Sequence, residues 1–373
     1  MVYLDNAATT PIHPEVIDAM NKVLVSNWGN PSSTHGNGRK AKVLLEKSRR
    51  FFAERLEVDP AEVFFTSGAT ESIYIALQNF AQNGVKHFIT AATEHKAVLE
   101  AVEDVCLKYT LKKTVLNVDQ TGQISLEELG SILAGNELGS CAVALMHTNN
   151  ETGVLHPIES IAKLTEKHRA LFFCDCVQAG LFSTISPRKF NIDALSLSAH
   201  KMYGPKGVGL LYFNSKLKRT PLWKGGSQER GMRPGTENMP GIAGFSKAFE
   251  LADTNKSAAT EHFVRLKQLA VEHLQSKYSS VYIGVGEAPH ILHFGIPDSR
   301  NMDAILLDLD LKGICLSAGS ACQSGSQKIS HVVQAMNLDP KYQYLRMSFG
   351  LMNTESEVLE ALKLGFEPLH NHT

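Results

Sequence analysis

The chain has 373 residues, of which 43% are hydrophobic and 20% charged, so it is long and apolar enough for two domains that each bury a core. Its 37 basic and 38 acidic side chains give a formal net charge of −1. This balance excludes a global electrostatic field that would hold nucleic acid or an anionic membrane. Because the sequence shows neither a secretory leader nor an apolar run of about 18 residues, we expect a cytoplasmic protein that does not span a membrane.

Short apolar segments alternate with helical patterns through the first two hundred residues. Residues 16–25 and 41–56 have the apolar spacing of helices, and several short apolar segments are bounded by polar residues or glycine, at 63–65, 87–89, 142–146, 171–173 and 195–197. This alternation predicts an α/β fold with a large, mostly parallel sheet between layers of helices. Ligands of such sheets bind at the carboxyl ends of the strands, so the polar residues that follow each strand become candidates for a site.

A smaller unit is predicted after this sheet. One long helical stretch follows Gly235 and runs through Ala243 to about Lys277. It leads to a series of shorter elements, at 281–283, 291–294, 302–311 and after Thr354. We therefore predict a large domain of residues 14–255 and a small α/β domain that combines residues 1–13 with residues 256–373.

Six cysteines, at positions 106, 141, 174, 176, 315 and 322, are too few and too irregularly spaced for a disulfide framework. Four of them lie in apolar runs, where a small core residue is the ordinary interpretation. Cys322 differs, because residues 317–326 consist mainly of serine, glycine and alanine and supply little apolar surface. Neither core packing nor a disulfide explains a cysteine there, which makes Cys322 a candidate for chemistry.

Two strand ends suggest how an anionic, aromatic ligand could be held. Residues 66–72 follow a strand and open a helix, so backbone N–H groups and hydroxyls there can bind a phosphate, although a plain helix cap gives the same pattern. Asp175 ends the strand at 171–174, and Gln178 lies one turn further on. A buried carboxylate needs a cationic partner, which could be a protonated pyridine nitrogen, a structural arginine or, alternatively, a helix N-terminus that it caps.

Lys201 ends the next strand, 26 residues after Asp175, a spacing that fits one crossover and places the two residues on adjacent strands. A desolvated lysine at a strand end can bind an aldehyde cofactor covalently, whereas most lysines are simply solvated. A phosphate cap, a strand-end aspartate and a strand-end lysine together match the phosphate, the ring nitrogen and the aldehyde of pyridoxal 5′-phosphate. The combination is far more specific than any of its members.

Over nearly its whole length, the sequence resembles the class V aminotransferases, which are fold type I pyridoxal phosphate enzymes, and among them the NifS-like cysteine desulfurases. The segments that carry the resemblance are residues 3–10, 29–33, 67–72, 93–98, 146–153, 198–207, 229–238, 317–322 and 345–350. The resemblance implies a homodimer in which each chain has a large, mostly parallel sheet domain between helices and a smaller C-terminal α/β domain. Two departures lie beside the expected site: Ala199 stands where relatives usually have glycine, and Cys176 and Val177 replace smaller residues.

The resemblance also implies a role for each matching residue. Lys201 would carry the cofactor, His95 would stack on its ring and take the substrate thiol proton, and Asp175 would pair with its nitrogen. The remaining cofactor ligands would be Asn150 and Gln178 at the phenolic oxygen, and, at the phosphate, Ala69, Thr70, Ser198, His200 and Thr236 of a second subunit. Asn150 and Arg346 would bind the substrate carboxylate, although without the resemblance Arg346 would be interpreted as part of a surface salt bridge. No metal ligands are expected.

The implied reaction converts L-cysteine to L-alanine and leaves the sulfur as a persulfide on Cys322, from which an iron–sulfur scaffold or a tRNA thiolase would accept it. A selenocysteine lyase or another class V aminotransferase is the alternative within enzymes, but a transaminase would have no use for Cys322. A sulfur-relay or scaffold protein without turnover is the alternative outside enzymes. The presence of Lys201, Asp175 and His95 argues against it.

Overall fold

The structure is a computed structural model that describes residues 1–319 and 329–366. Its helices, in chain order, are α1 (Pro14–Ser26), α2 (Gly36–Leu56), α3 (Ala69–Gln82), α4 (Lys96–Tyr109), α5 (Leu126–Ala134), α6 (Ile158–Lys167), α7 (Met239–Thr254), α8 (Lys256–Lys277), α9 (Met302–Leu311), α10 (His331–Ala335) and α11 (Glu355–Gly365). Its strands are β1 (Val2–Tyr3), β2 (Val63–Thr66), β3 (His87–Ala91), β4 (Lys112–Leu116), β5 (Cys141–Met146), β6 (Leu171–Asp175), β7 (Ala194–Ser198), β8 (Gly209–Phe213), β9 (Tyr282–Ile283), β10 (Ile291–Pro297), β11 (Ile314–Cys315) and β12 (Tyr342–Ser348). None of these helices is both long enough and apolar enough to cross a membrane.

The main sheet has seven strands in the order β2-β8-β7-β6-β5-β3-β4. The neighbours from β7 to β4 all pair in parallel, whereas β8 runs antiparallel to both β7 and β2. Parallel neighbours need long crossovers, and those between β3 and β6 carry α4, α5 and α6. The predicted α/β fold with a large, mostly parallel sheet is confirmed.

Side chains alternate between the two faces of this sheet and build an apolar core on each. Phe173 and Ala144 belong to the core beneath α3 and α4, whereas their chain neighbours Phe172 and Val143 belong to the core beneath α2 and α7. Every residue of β5 and β7 is buried, as expected for strands that helices cover on both faces. The two packed faces hold the carboxyl edge of the sheet rigidly, and the polar residues lie at that edge.

Among the described residues, the strands outside the main sheet form two small sheets. β10 pairs antiparallel with β12 and β9, and β1 pairs in parallel with β11, so the first residues of the chain contact its C-terminal part. An isolated bridge between Asp5 and Ser348 extends this contact toward the main sheet. The domain boundaries after residues 13 and 255 stay a prediction.

One predicted element was wrong. The sequence indicated a single helical stretch from after Gly235 to about Lys277, but α7 ends at Thr254 and α8 begins at Lys256. Asn255 lies between them with φ −101° and ψ 9°, and its side-chain amide donates to the carbonyl of Leu251 at 2.9 Å. Asparagine side chains that bond the nearby backbone are disfavoured inside helices, which suits Asn255 to the junction between two helices.

Candidate active site

Polar residues from several strand ends meet at the carboxyl edge of the main sheet. β6 ends at Asp175 between β5 and β7, and the turn after β7 contains Lys201. His95 follows β3, and Asn150 follows β5. Because β3, β5, β6 and β7 run in the same direction, all four residues lie at the same edge. The prediction that Asp175 and Lys201 follow adjacent strands is confirmed.

Asp175 is a buried carboxylate with acceptor capacity left over. Its Oδ1 accepts the backbone N–H of Val177 at 3.0 Å and the hydroxyl of Ser196 at 3.1 Å. Burial raises the pKa of Asp175, while these hydrogen bonds and the neighbouring positive charge of Lys201 act in the opposite direction. Such a carboxylate gains most from a cation placed against it, because its charge is desolvated.

The N-terminal segment closes one side of the site. The Lys201 Nζ donates to the carbonyl oxygens of Ala7 and Ala8, at 2.7 Å each, and the Gln178 Nε2 donates to the same Ala7 oxygen at 2.9 Å. One backbone carbonyl near the N-terminus of the chain therefore accepts hydrogen bonds from two candidate side chains. The role of Ala7 and Ala8 was missed, although residues 3–10 are among the segments that carry the family resemblance.

His95 is the N-cap residue of α4 and lies in the electrostatic field of Asp175 and Lys201. Its Nδ1 accepts the backbone N–H of Ala97 at 3.1 Å. Burial lowers the pKa of His95, and the charges of Asp175 and Lys201 act on it in opposite directions. The lowered pKa favours the neutral imidazole, and because Nδ1 accepts from Ala97, the proton of that neutral ring lies on Nε2.

The start of α3 has the properties of an anion site. No side chain of the described residues caps the helix at Gly68, so the N–H groups of Ala69 and Thr70 are left for a ligand. The acidic residue of the first turn does not oppose an anion there, because Glu71 accepts from Ser67 N–H and pairs with Arg233 at 2.9 Å. The plain Ser/Thr cap, which was the alternative from sequence, is not what the structure shows.

Ser198 and His200 come shortly before Lys201 in the chain, and both are candidate phosphate ligands. Ser198 is buried at the end of β7, and the His200 Nδ1 lies 3.2 Å from the Thr9 hydroxyl. Burial, together with the positive charges of Lys201 and Lys206, lowers the pKa of His200 to about 4. His200 is therefore neutral at neutral pH and would bind a phosphate as a hydrogen-bond donor rather than as a cation.

Arg346 is buried rather than exposed, so the surface salt bridge considered from sequence does not describe it. It donates to Asp5 Oδ1 at 2.6 Å and to the carbonyl oxygen of Asn150 at 2.8 Å. Its Nε has no hydrogen-bond partner among the described residues. Arg346 and Asn150, the two predicted substrate ligands, are therefore in direct contact, and the guanidinium retains an unused donor.

Sequence reasoning missed two buried carboxylates next to predicted residues. Glu94 accepts Met146 N–H at 2.7 Å, and complete burial raises its pKa well above the usual range. Glu151 accepts the hydroxyl of Ser330 and lies against Gly319, where a Cβ would be 3.1 Å from the carboxylate. In the chain, Gly319 and Ser330 stand on either side of Cys322. The only available signal was that both glutamates belong to segments of family resemblance.

Two predicted site residues are not tested by the described structure. Thr236 is exposed and follows Gly235, whose φ of +96° favours glycine. Cys322 lies outside the described residues. The roles of both residues stay predictions.

Comparison with known proteins assigns the family. The family model described as aminotransferase class-V matches residues 2–361. The chain belongs to the class V aminotransferase family. It is 36% identical over 365 residues to the cysteine desulfurase IscS of Dictyoglomus turgidum, across 96% of this chain and 91% of that protein. A solved NifS-like protein superposes with a TM-score of 0.89 at 35% identity over 97% of both chains. SspA, solved in complex with cysteine, superposes with a TM-score of 0.78 at 30% identity over 94% of this chain and 99% of that chain.

Enzymes of this family depend on pyridoxal phosphate, and the described residues fit that group. The uncapped start of α3 suits a phosphate, the buried carboxylate of Asp175 suits a protonated ring nitrogen, and the amine of Lys201 suits an aldehyde. The three features lie at one edge of the sheet, as a single ligand requires. The predicted assignment of the chain to the NifS-like cysteine desulfurases of this family is also confirmed.

Proposed function

We propose that this chain is a pyridoxal phosphate-dependent cysteine desulfurase, which converts L-cysteine to L-alanine and transfers the sulfur to Cys322 as a persulfide. The observation that carries the proposal is the convergence of Asp175, Lys201 and His95 at the carboxyl edge of the main sheet. The relatives named as cysteine desulfurases and the SspA structure with cysteine support the choice of substrate.

In this proposal the cofactor is held from several sides. The N–H groups of Ala69 and Thr70, with Ser198 and His200, bind its phosphate, and Asp175 keeps the ring nitrogen protonated. The remaining contacts with the cofactor come from the Gln178 amide and Asn150 at the phenolic oxygen, and from His95 over the ring. When bound, the cofactor withdraws electrons from the substrate and stabilises negative charge at its α-carbon.

The protein side chains then supply orientation and proton transfer. Arg346 and the neighbouring Asn150 hold the substrate carboxylate, for which the buried guanidinium still has an unused donor. In this proposal His95 accepts the thiol proton at Nδ1, the nitrogen that must first release the N–H of Ala97, and the Lys201 amine moves the α-proton.

Overall, the carbon–sulfur bond of cysteine breaks and a sulfur–sulfur bond forms on Cys322. The substrate carbon skeleton leaves as alanine, so atoms and electrons balance without a further oxidant. The other thiols suit this task less well. Burial raises the pKa of Cys174 and Cys141, and it raises that of Cys106 to about 11, so these cysteines are poor nucleophiles.

Three further parts of the proposal come from the family resemblance. The enzyme is a homodimer in which Thr236 completes the phosphate site of the other subunit, the sulfur acceptor is an iron–sulfur scaffold or a tRNA thiolase, and the location is cytoplasmic. Light scattering checks the first part. A cofactor-loaded, active monomer would contradict it, whereas Thr236→Ala should weaken cofactor retention and leave the dimer intact.

The activity is tested by incubating the purified protein with L-cysteine and a reductant and measuring alanine and sulfide. Lys201→Ala should form neither product. Cys322→Ser should still exchange the α-proton of cysteine with deuterated solvent but release no alanine, whereas Cys106→Ser, the matched control, should remain active. Near wild-type alanine release by Cys322→Ser would refute the proposal. An extra sulfur on Cys174, Cys176 or Cys315 after a short cysteine pulse would also refute it.

A further inference from the structure

His290 lies just before β10 and contacts a predicted cofactor ligand. Its side chain is buried, and its Nε2 lies 3.2 Å from the Oε1 of Gln178. The Nε2 of Gln178 donates in turn to the carbonyl oxygen of Ala7 at 2.9 Å, and Lys201 donates to that oxygen as well. A hydrogen-bonded chain therefore connects the small C-terminal sheet to the site.

The donors and acceptors along this series of hydrogen bonds fix the positions of its protons. The Ala7 carbonyl can only accept, so it must face the NH2 group of Gln178 rather than the amide oxygen. The amide oxygen of Gln178 then faces His290, which must donate from Nε2. Burial lowers the pKa of His290 to about 3, with smaller contributions from the charges of Lys267, Arg346 and Lys201. The ring is therefore neutral and carries one proton, on Nε2, and its Nδ1 has no partner among the described residues.

This arrangement prevents the amide of Gln178 from turning over. In the reversed orientation the amide oxygen would face the Ala7 oxygen, a repulsive contact, and the NH2 group would face His290. His290 would then have to move its proton to Nδ1, which has no acceptor among the described residues. One of the two N–H bonds of Gln178 is used by Ala7. The other has no acceptor among the described residues and is left as a donor.

We propose that His290 is a positioning residue that holds the Gln178 amide with its second N–H available to the phenolic oxygen of the cofactor. This inference rests on the proposed function, because it needs pyridoxal phosphate at the site. It assigns His290 no contact with the cofactor and no part in proton transfer.

A purely structural role is the competing explanation. His290 packs against Phe182 and Phe263, with ring centroids 5.3 and 6.0 Å away, and its carbonyl oxygen accepts Phe349 N–H at 2.9 Å. Loss of the imidazole would therefore reduce stability in either case. Only the positioning role predicts that the loss reaches the cofactor through Gln178.

The test compares His290→Leu with a matched control, His156→Leu. His156 is also buried, its pKa is lowered to about 4 by burial, and neither ring nitrogen has a hydrogen-bond partner among the described residues. Two quantities are measured on apoprotein reconstituted with pyridoxal phosphate: the dissociation constant of the cofactor and the pH midpoint of its visible absorbance. Neither quantity depends on turnover of cysteine.

We expect His290→Leu to weaken cofactor binding by about tenfold, the usual size of one hydrogen bond to a charged oxygen, and to shift the absorbance midpoint. His156→Leu should change neither quantity. His290→Gln, which keeps a donor, should restore most of the binding. In a Gln178→Ala background, His290→Leu should have no further effect, because the two residues act in series.

Equal behaviour of His290→Leu and His156→Leu would overturn the inference, and so would an undiminished effect of His290→Leu in the Gln178→Ala background. If His290→Leu does not fold, His290→Gln is compared with Gln178→Ala. Because His290→Gln retains the donor, visible absorbance spectra that differ from wild type equally in these two variants would overturn the inference. A wild-type protein that binds no pyridoxal phosphate would overturn both this inference and the proposed function. Normal binding without cysteine turnover would overturn the function alone.

Discussion

Two buried clusters of charge in this molecule use their hydrogen bonds in opposite ways. In the first, Arg49 and Glu229 form a two-point ion pair at 2.7 and 2.8 Å. Arg49 also donates to the Val63 carbonyl and Glu229 accepts Phe65 N–H, so the pair is tied to β2 on both sides. Within the pair, the two charges satisfy each other at two points and the neighbouring backbone groups satisfy the rest.

The second cluster, at the carboxyl edge of the same sheet, is incomplete. Arg346 Nε and one oxygen each of Glu94 and Glu151 have no partner among the described residues, and both hydrogen bonds to Asp175 go to Oδ1. Buried polar atoms are rarely left unpaired without a reason. The contrast shows how a structural cluster differs from a binding site: the first satisfies its own charges, and the second retains capacity for a ligand.

The complete cluster also holds an unusual backbone. Glu229 and Arg230 have φ angles of 46° and 55°, a conformation that costs side-chain-bearing residues free energy and persists only where the surroundings enforce it. The ion pair with Arg49 supplies that enforcement. It thereby fixes the start of the segment that leads to Thr236.

The largest effect is expected from breaking the complete cluster. Glu229→Ala leaves the Arg49 charge buried and unpaired and should lower the free energy of unfolding by about 3–5 kcal/mol. The matched control is Glu137→Ala, since the Lys86–Glu137 pair is exposed, and its loss should cost about 0–1 kcal/mol. Both values are obtained from urea denaturation followed by circular dichroism. Equal losses in the two variants would remove the basis for calling the first cluster structural.

The next effect concerns the incomplete cluster. Asp175→Asn should lower kcat/KM for alanine formation by more than about 100-fold, because the counter-charge of the ring nitrogen is lost. Asp193→Asn is the control: Asp193 also has a pKa raised by burial, but it accepts Phe172 N–H and the Asn214 amide just before β7 begins, at the opposite end of that strand. Asp193→Asn should retain near wild-type activity. A similar loss of rate in both variants would show that Asp175 is merely structural.

The smallest effect is expected at Glu94 and depends on pH. The pKa of Glu94 is raised in the fold, so its contribution to stability is complete below its ordinary pKa of 4.5 and is lost as the pH rises from there toward the folded pKa. Glu94→Gln cannot ionise, so its stability does not fall with pH for this reason. The variant should match the wild type near pH 4.5 and exceed its stability increasingly toward pH 8, as measured by thermal unfolding across this range. If the stability of Glu94→Gln minus that of the wild type instead fell from pH 5 to pH 8, the Glu94 carboxylate would be charged in the fold.

The sequence predicted those parts of the molecule that follow from local patterns. Apolar segments separated by helical spacing gave the parallel sheet, and the interval between Asp175 and Lys201 gave their adjacency, because one crossover connects neighbouring parallel strands. The resemblance supplied the remaining candidate residues. The Asn255 break within the predicted helix was missed, since a single asparagine is a weak signal inside a helical pattern.

Contacts made by backbone atoms or by distant side chains could not be predicted. The Ala7 and Ala8 carbonyls come from the far end of the chain and have no side-chain pattern that announces them. Arg49 lies on a helix rich in charged residues, where nothing distinguishes a buried arginine from exposed ones. The contact of His290 with Gln178 joins residues 112 positions apart and depends on how the small sheet packs against the large one.

The most direct test of the proposed site is the identity of the residue that binds the cofactor. The purified protein is reconstituted with pyridoxal phosphate, reduced with borohydride, digested and analysed by mass spectrometry. The arrangement of Lys201 with Asp175 and the uncapped start of α3 predicts a yellow protein and a label on Lys201 alone. A colourless protein that cannot be reconstituted, or a label on Lys206 with Lys201 unmodified, would contradict the assignment.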